Sequence, residues 1–103
     1  MSERRRRHGE TEAVVLDIGD GVGALIVYAS AELRGAEIEV SPKDVDSPRT
    51  HTEIRERRVD GRIVCAGVFP KLPAGHYRIW TDNPTLPAAV SIESGQVAEI
   101  DWR

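Results

Sequence analysis

The chain has 103 residues, of which 40% are hydrophobic and 5% aromatic, and its formal net charge is −3. This length is typical of one folded domain. No apolar stretch approaches the roughly 20 residues needed to cross a bilayer, and no apolar region follows the basic N-terminus as in a secretory signal. Cys65 is the only cysteine, so an intrachain disulfide is excluded. We therefore expect a cytoplasmic protein without membrane insertion.

Charge is distributed unevenly along the chain. Residues 1–12 contain four arginines and three glutamates, whereas residues 13–103 contain ten basic and fourteen acidic side chains. An acidic body argues against nucleic-acid binding, because neutralising phosphates requires a basic surface. We predict a disordered tail over residues 1–11 and a single folded domain over residues 12–103.

Alternating hydrophobicity predicts short strands along most of the chain. Residues 12–18 place Val14, Leu16 and Ile18 on one face, and residues 24–29 are apolar on both faces, as in a strand covered on both sides. Residues 36–40 alternate apolar and acidic side chains, which predicts one solvated face. Residues 50–59 are rich in charge and threonine, which is typical of an edge strand. Later inward positions are Tyr77, Ile79, Val90, Ile92, Ala98, Ile100 and Trp102.

Turn residues separate these runs. Asp60-Gly61 predicts a type I′ hairpin, because that turn requires positive φ at both central residues. Ser94-Gly95 divides the last two runs, and only residues 29–35 have the composition of a helical turn. Seven or eight short strands at this spacing predict an all-β, antiparallel β-sandwich.

Two segments resemble a known group of sandwiches. Leu72-Pro73-Ala74-Gly75-His76-Tyr77-Arg78-Ile79 is similar to the entry into a late strand of transthyretin-like and Cna-B-like (carboxypeptidase-regulatory-like) domains, and residues 90–101 resemble their closing hairpin. The resemblance implies an immunoglobulin-like or transthyretin-like sandwich and does not specify a function. The isopeptide crosslink of many Cna-B domains is not implied, since the one asparagine, Asn83, lies in a turn-like segment.

The whole chain is also similar to small proteins of high-GC actinobacteria, some of which carry a phospholipase label. The excess of arginine over lysine, twelve against two, fits GC-rich coding. No serine lies in a G-x-S-x-G elbow, the motif that exposes a nucleophilic hydroxyl in many lipases. We predict no catalytic residues and no cofactor.

His76, Arg78 and Trp80 form the strongest candidate binding patch. If Tyr77 and Ile79 face the core, these three side chains share the opposite face of the same strand. Tryptophan and arginine are enriched at the energetic centres of protein interfaces. The alternative is that another segment or subunit covers this face.

Glu37, Arg49 and His51 form a weaker candidate, a polar pocket completed by His76. No local metal chelate is present, because the three histidines are not spaced as H-x-H or H-x-x-x-H. A metal site would therefore require the fold to bring His51, His76 and a carboxylate together.

Three functional hypotheses remain open at this stage. The leading one is a non-catalytic binding or accessory module that recruits a protein partner. The second is a small-ligand or metal-binding protein, or a hydrolase, with a pocket around His51 and His76. The third is self-association through an apolar face or an exposed strand.

Overall fold

The structure, a computed structural model, describes residues 12–14, 16 and 18–103. The predicted tail over residues 1–11 lies outside the described residues. Within the described part of the chain there are nine strands and one 3₁₀ turn, Ala31–Leu33. The strands are β1 (Glu12–Ala13), β2 (Val22–Ala29), β3 (Glu37–Pro42), β4 (Thr50–Glu53), β5 (Arg55–Val59), β6 (Arg62–Pro73), β7 (Gly75–Trp80), β8 (Ala89–Ile92) and β9 (Val97–Asp101).

The strands form two sheets that pack face to face as a sandwich. The five-stranded sheet has the order β1-β5-β6-β2-β9, and the four-stranded sheet has the order β4-β3-β7-β8. The predicted all-β sandwich is therefore confirmed. Most pairings are antiparallel, but β1 pairs with β5, and β9 with β2, in parallel.

Side-chain alternation builds the core between the sheets. Leu25 and Val27 of β2 face Val40 and Ile79 of the other sheet, and Phe69 of β6 fills the space between them; all five are at most 1% exposed. The strand over residues 24–29 is covered on both faces as predicted, because Ile26 belongs to a second apolar cluster on the outer face of the sheet. The buried side chains of this cluster between the sheets are Leu25, Val27, Ala29, Ile38, Val40, Ile54, Phe69, Leu72, Tyr77, Ile79 and Ile92.

Two sequence predictions about strand continuity are wrong. The run of residues 50–59 is not one edge strand, because the chain crosses between the sheets at Ile54, which is 1% exposed and hydrogen-bonds through its backbone to Gly35 and Ala36. This crossing raises the strand number above the predicted seven or eight. The turn at Ser94-Gly95 forms, with Gly95 at φ 72°, but it joins β8 and β9 of different sheets and closes no hairpin.

The strongest predicted hairpin is confirmed. Asp60 and Gly61 have φ values of 52° and 80°, which are the positive values that a type I′ turn requires, and β5 pairs with β6 on either side of them. The chain crosses to the four-stranded sheet at Pro73–Gly75, so β7 presents its outward side chains on the opposite surface of the sandwich. No helix among residues 12–14, 16 and 18–103 is long and apolar enough to cross a membrane.

Candidate functional site

The outer face of the four-stranded sheet carries both groups of candidate residues. Tyr77 and Ile79 are buried, so His76, Arg78 and Trp80 point outward from β7, as predicted. Glu39 of β3 lies between Trp80 of β7 and His51 of β4 in the strand register. Glu37 shares this outer face of β3, and Arg49 immediately precedes β4. Residues predicted as two separate sites therefore belong to one continuous surface, which we call the outer face.

Trp80 lies at the centre of the outer face, between two arginines. The guanidinium carbons of Arg49 and Arg78 are 3.7 and 3.9 Å from the centroid of its ring. Trp80 Nε1 donates a hydrogen bond to Ser41 Oγ at 3.0 Å, and Ser41 is fully buried. The indole is half-buried, and the side chains of Arg49 and Arg78 lie against its ring.

Ser41 links Trp80 to the loop of residues 43–49. Its hydroxyl accepts the indole N–H and donates to the carbonyl of Val45 at 2.9 Å. Arg49 holds the far end of the loop, since Nη1 is 2.8 Å from Glu39 Oε1 and Nε donates to the Asp46 carbonyl at 3.1 Å. Trp80 is therefore an anchor for this loop as well as a surface group.

The two arginines beside Trp80 differ in their other contacts. Arg49 uses its N–H groups on Glu39 and on the loop backbone. The Arg78 side chain makes neither an ion pair nor a hydrogen bond with the described residues, and its guanidinium lies against the Trp80 ring. Stacking fixes the plane of a guanidinium and leaves its N–H edges free to bind a carboxylate or phosphate. Arg78 is therefore a cationic group of the outer face whose N–H groups are available to a ligand.

The histidines do not converge. His51 and Glu39 are opposite each other in the register, whereas His76 lies four residues from Trp80 along β7 and bonds to Ser91 Oγ at 2.8 Å through Nδ1. Strand spacing alone separates the two histidines by roughly 15 Å. Within the described part of the chain, no group of three or more His, Cys, Asp or Glu side chains is placed to hold a metal ion. The predicted pocket uniting His51 with His76 does not form.

Two grooves flank the Trp80–arginine stack. The first, about 450 Å³, runs beside β8, with Tyr77 in its wall; burial raises the pKa of Tyr77 above its ordinary value, and its hydroxyl donates to the Pro73 carbonyl. The second, about 640 Å³, lies between Trp80 and Trp102 and contains Glu37 and Arg49 from the predicted polar pocket. Neither histidine lines this second groove. This groove therefore brings Glu37 and Arg49 together but not His51.

Sequence reasoning missed Ser41 and Lys43. Ser41 follows Val40 at an outward position of β3, so the period-two pattern alone places it on the face of Trp80. Lys43 lies one residue beyond β3, where no pattern assigns a direction; the structure places it in the first groove, and its backbone N–H donates to the His76 carbonyl.

The chain was compared with protein-family models, curated proteins and solved structures. No family model matches the chain, and neither a curated protein nor a solved structure matches it.

Proposed function

We propose that the protein is a non-catalytic binding module that recruits a protein partner through the outer face of the four-stranded sheet. The observation that carries this proposal is the Arg49–Trp80–Arg78 stack, with one guanidinium on each side of the ring. Arginine and tryptophan dominate the energetic centres of protein interfaces, and an ordered side chain loses less entropy on binding than a mobile one. The grooves on either side of the stack offer a partner concave surface.

The flanking contacts support the same function. Ser41 and Glu39 hold Trp80 and Arg49 in place, while Arg78 keeps its N–H groups available. This division of roles, in which some polar groups fix the surface and others remain unused, is typical of a preformed recognition site.

The test compares proteins captured by three tagged forms of the full chain. Arg78→Glu reverses the available charge of the outer face, and Arg62→Glu makes the same change at an exposed position of β6 in the other sheet. We expect the wild type and Arg62→Glu to capture the same partner and Arg78→Glu to lose it. Arg78→Glu should stay folded, with its free energy of unfolding lowered by no more than about 1 kcal/mol through loss of its contact with the Trp80 ring. A partner retained by Arg78→Glu would contradict the proposal.

A second candidate function is the binding of a small ligand between Trp80 and Trp102. The groove of about 640 Å³ favours it, because two aromatic side chains and several polar groups line a space of the size that small-molecule sites occupy. Native mass spectrometry of the purified chain tests this candidate. A ligand that survives desalting and is lost from Glu37→Gln supports it, and a bare polypeptide mass counts against it.

A further inference from the structure

The first groove and the edge of β8 lie side by side. The groove of about 450 Å³ lies beside β8, which is the last strand of its sheet. Residues in this groove that bear on the argument are Lys43, Asp44, His76, Arg78, Ala89 and Ser91.

The backbone of β8 leaves hydrogen-bonding groups unused at this edge. The N–H of Ile79 donates to the Ala88 carbonyl at 2.8 Å, so these two residues face each other across the ladder. In an antiparallel pair, residues one position further along have their N–H and C=O groups directed away from the partner strand. Ala89 and Ser91 occupy these positions, and no described residue satisfies their outward N–H groups. An added strand would bond to both residues.

The side chains beside this edge select for negative charge. Ala89 and Ser91 are small, and each lies opposite a basic group of β7: Ala89 opposite Arg78, and Ser91 opposite His76. An acidic side chain on an added strand would lie over these small residues and reach across them to Arg78. Lys43 borders the same groove, with Asp44 as its one acidic neighbour. The groove is thus locally positive on a chain whose net charge is −3.

From this juxtaposition we propose that the protein binds an acidic, extended peptide segment of its partner, which adds to β8 as a fifth strand and places a carboxylate on Arg78. This inference rests on the proposed function and names the chemistry of the partner. Backbone bonds to Ala89 and Ser91 supply sequence-independent affinity, and the Arg78 guanidinium supplies the selection for acidic residues.

The experiment titrates the isotope-labelled full chain with a capped peptide of alternating valine and glutamate, followed by amide chemical shifts. A matched peptide with lysine in place of glutamate is the control ligand. We expect the glutamate peptide to shift the amides of Ala89, Ser91 and Arg78, to bind more weakly as salt rises, and to exceed the lysine peptide in affinity about tenfold. Equal binding of the two peptides, or shifts confined to other surfaces, would overturn the inference.

Two variants separate the backbone and charge contributions. Ala89→Pro removes an N–H that faces away from β7, so it blocks strand addition without breaking a ladder bond. Arg78→Gln removes the charge and keeps a planar polar group. We expect each variant to lower the affinity for the glutamate peptide about tenfold, whereas Arg62→Gln should bind the peptide as the wild type does. If the glutamate peptide fails to bind while Arg78→Glu still abolishes partner capture, the acidic-strand inference is wrong and the proposed function stands.

Discussion

Trp80 provides the most informative stability prediction, because several weak contacts meet on one side chain. Replacing it with alanine removes two cation–π contacts, which contribute about 0.5–1 kcal/mol each at partly exposed sites. It also removes the hydrogen bond to Ser41, which contributes about 1 kcal/mol and leaves a buried hydroxyl with one partner fewer. We expect Trp80→Ala to lower the free energy of unfolding by about 3 kcal/mol, near the low end for deletion of a large aromatic side chain.

Trp80→Phe separates the contribution of the cation–π contacts from that of the hydrogen bond to Ser41. Phenylalanine keeps an aromatic face for both guanidinium groups but has no N–H, so its expected loss is about 1 kcal/mol. Urea unfolding followed by far-ultraviolet circular dichroism measures each value, and in a domain of this size a loss of 1 kcal/mol lowers Tm by about 4–8 °C. Arg78→Gln should lose about 0.5–1 kcal/mol in the wild-type background and almost nothing in the Trp80→Ala background.

Two results would refute this reasoning. If Trp80→Ala is within about 0.5 kcal/mol of the wild type, the stack does not hold the loop of residues 43–49. If Trp80→Phe loses as much as Trp80→Ala, the hydrogen bond to Ser41 accounts for the whole effect and the arginines contribute nothing. Since Trp80 has this structural role, Arg78 is the better position for testing partner binding.

Three further predictions concern the five-stranded sheet, against which the four-stranded sheet packs. A methyl group at Gly23 would meet the Gln96 carbonyl oxygen at 2.8 Å, so Gly23→Ala should lower stability by about 2 kcal/mol in urea unfolding. Gly61→Ala places a side chain at φ 80° and should cost about 1 kcal/mol, measured in the same way. Burial and the hydrogen bond to Glu99 raise the pKa of Tyr28 to about 12. The neutral phenol therefore contributes fully to the free energy of unfolding below about pH 10, and this contribution is lost as the pH rises to about 12. Tyr28→Phe should remove the corresponding tyrosinate step from an absorbance titration.

The sequence predicts the direction of side chains better than the path of the chain. Alternation correctly assigns Tyr77 and Ile79 to the core and Trp80 to the outer face, because burial of one strand face imposes a period of two. It does not reveal the crossing at Ile54. A single isoleucine between charged neighbours, without glycine or proline, looks like any position of an exposed strand, and only the core of the sandwich identifies it as the point where the chain changes sheets.

The same limit applies to the candidate site. Glu37, His51 and Trp80 lie on adjacent strands, yet their register depends on pairings between β3, β4 and β7 that no local pattern encodes. The sequence predicts Arg49 as a pocket residue, but its position over Trp80 depends on Ser41 and Glu39 holding the loop against the sheet. Local patterns therefore identify which residues are available, and pairing determines which of them meet.

The pairing has a direct consequence for recognition. Glu39 neutralises Arg49 on one side of Trp80, while Arg78 on the other side has no acidic partner among the described residues. An incoming carboxylate thus meets one available guanidinium on the β8 side and an occupied one on the β4 side. This asymmetry favours approach along the groove beside β8, where the small side chains Ala89 and Ser91 and the unused backbone groups lie. Glu39→Gln would remove the acidic partner of Arg49 and should reduce the preference for the β8 side. The glutamate peptide should then also shift amides of β4.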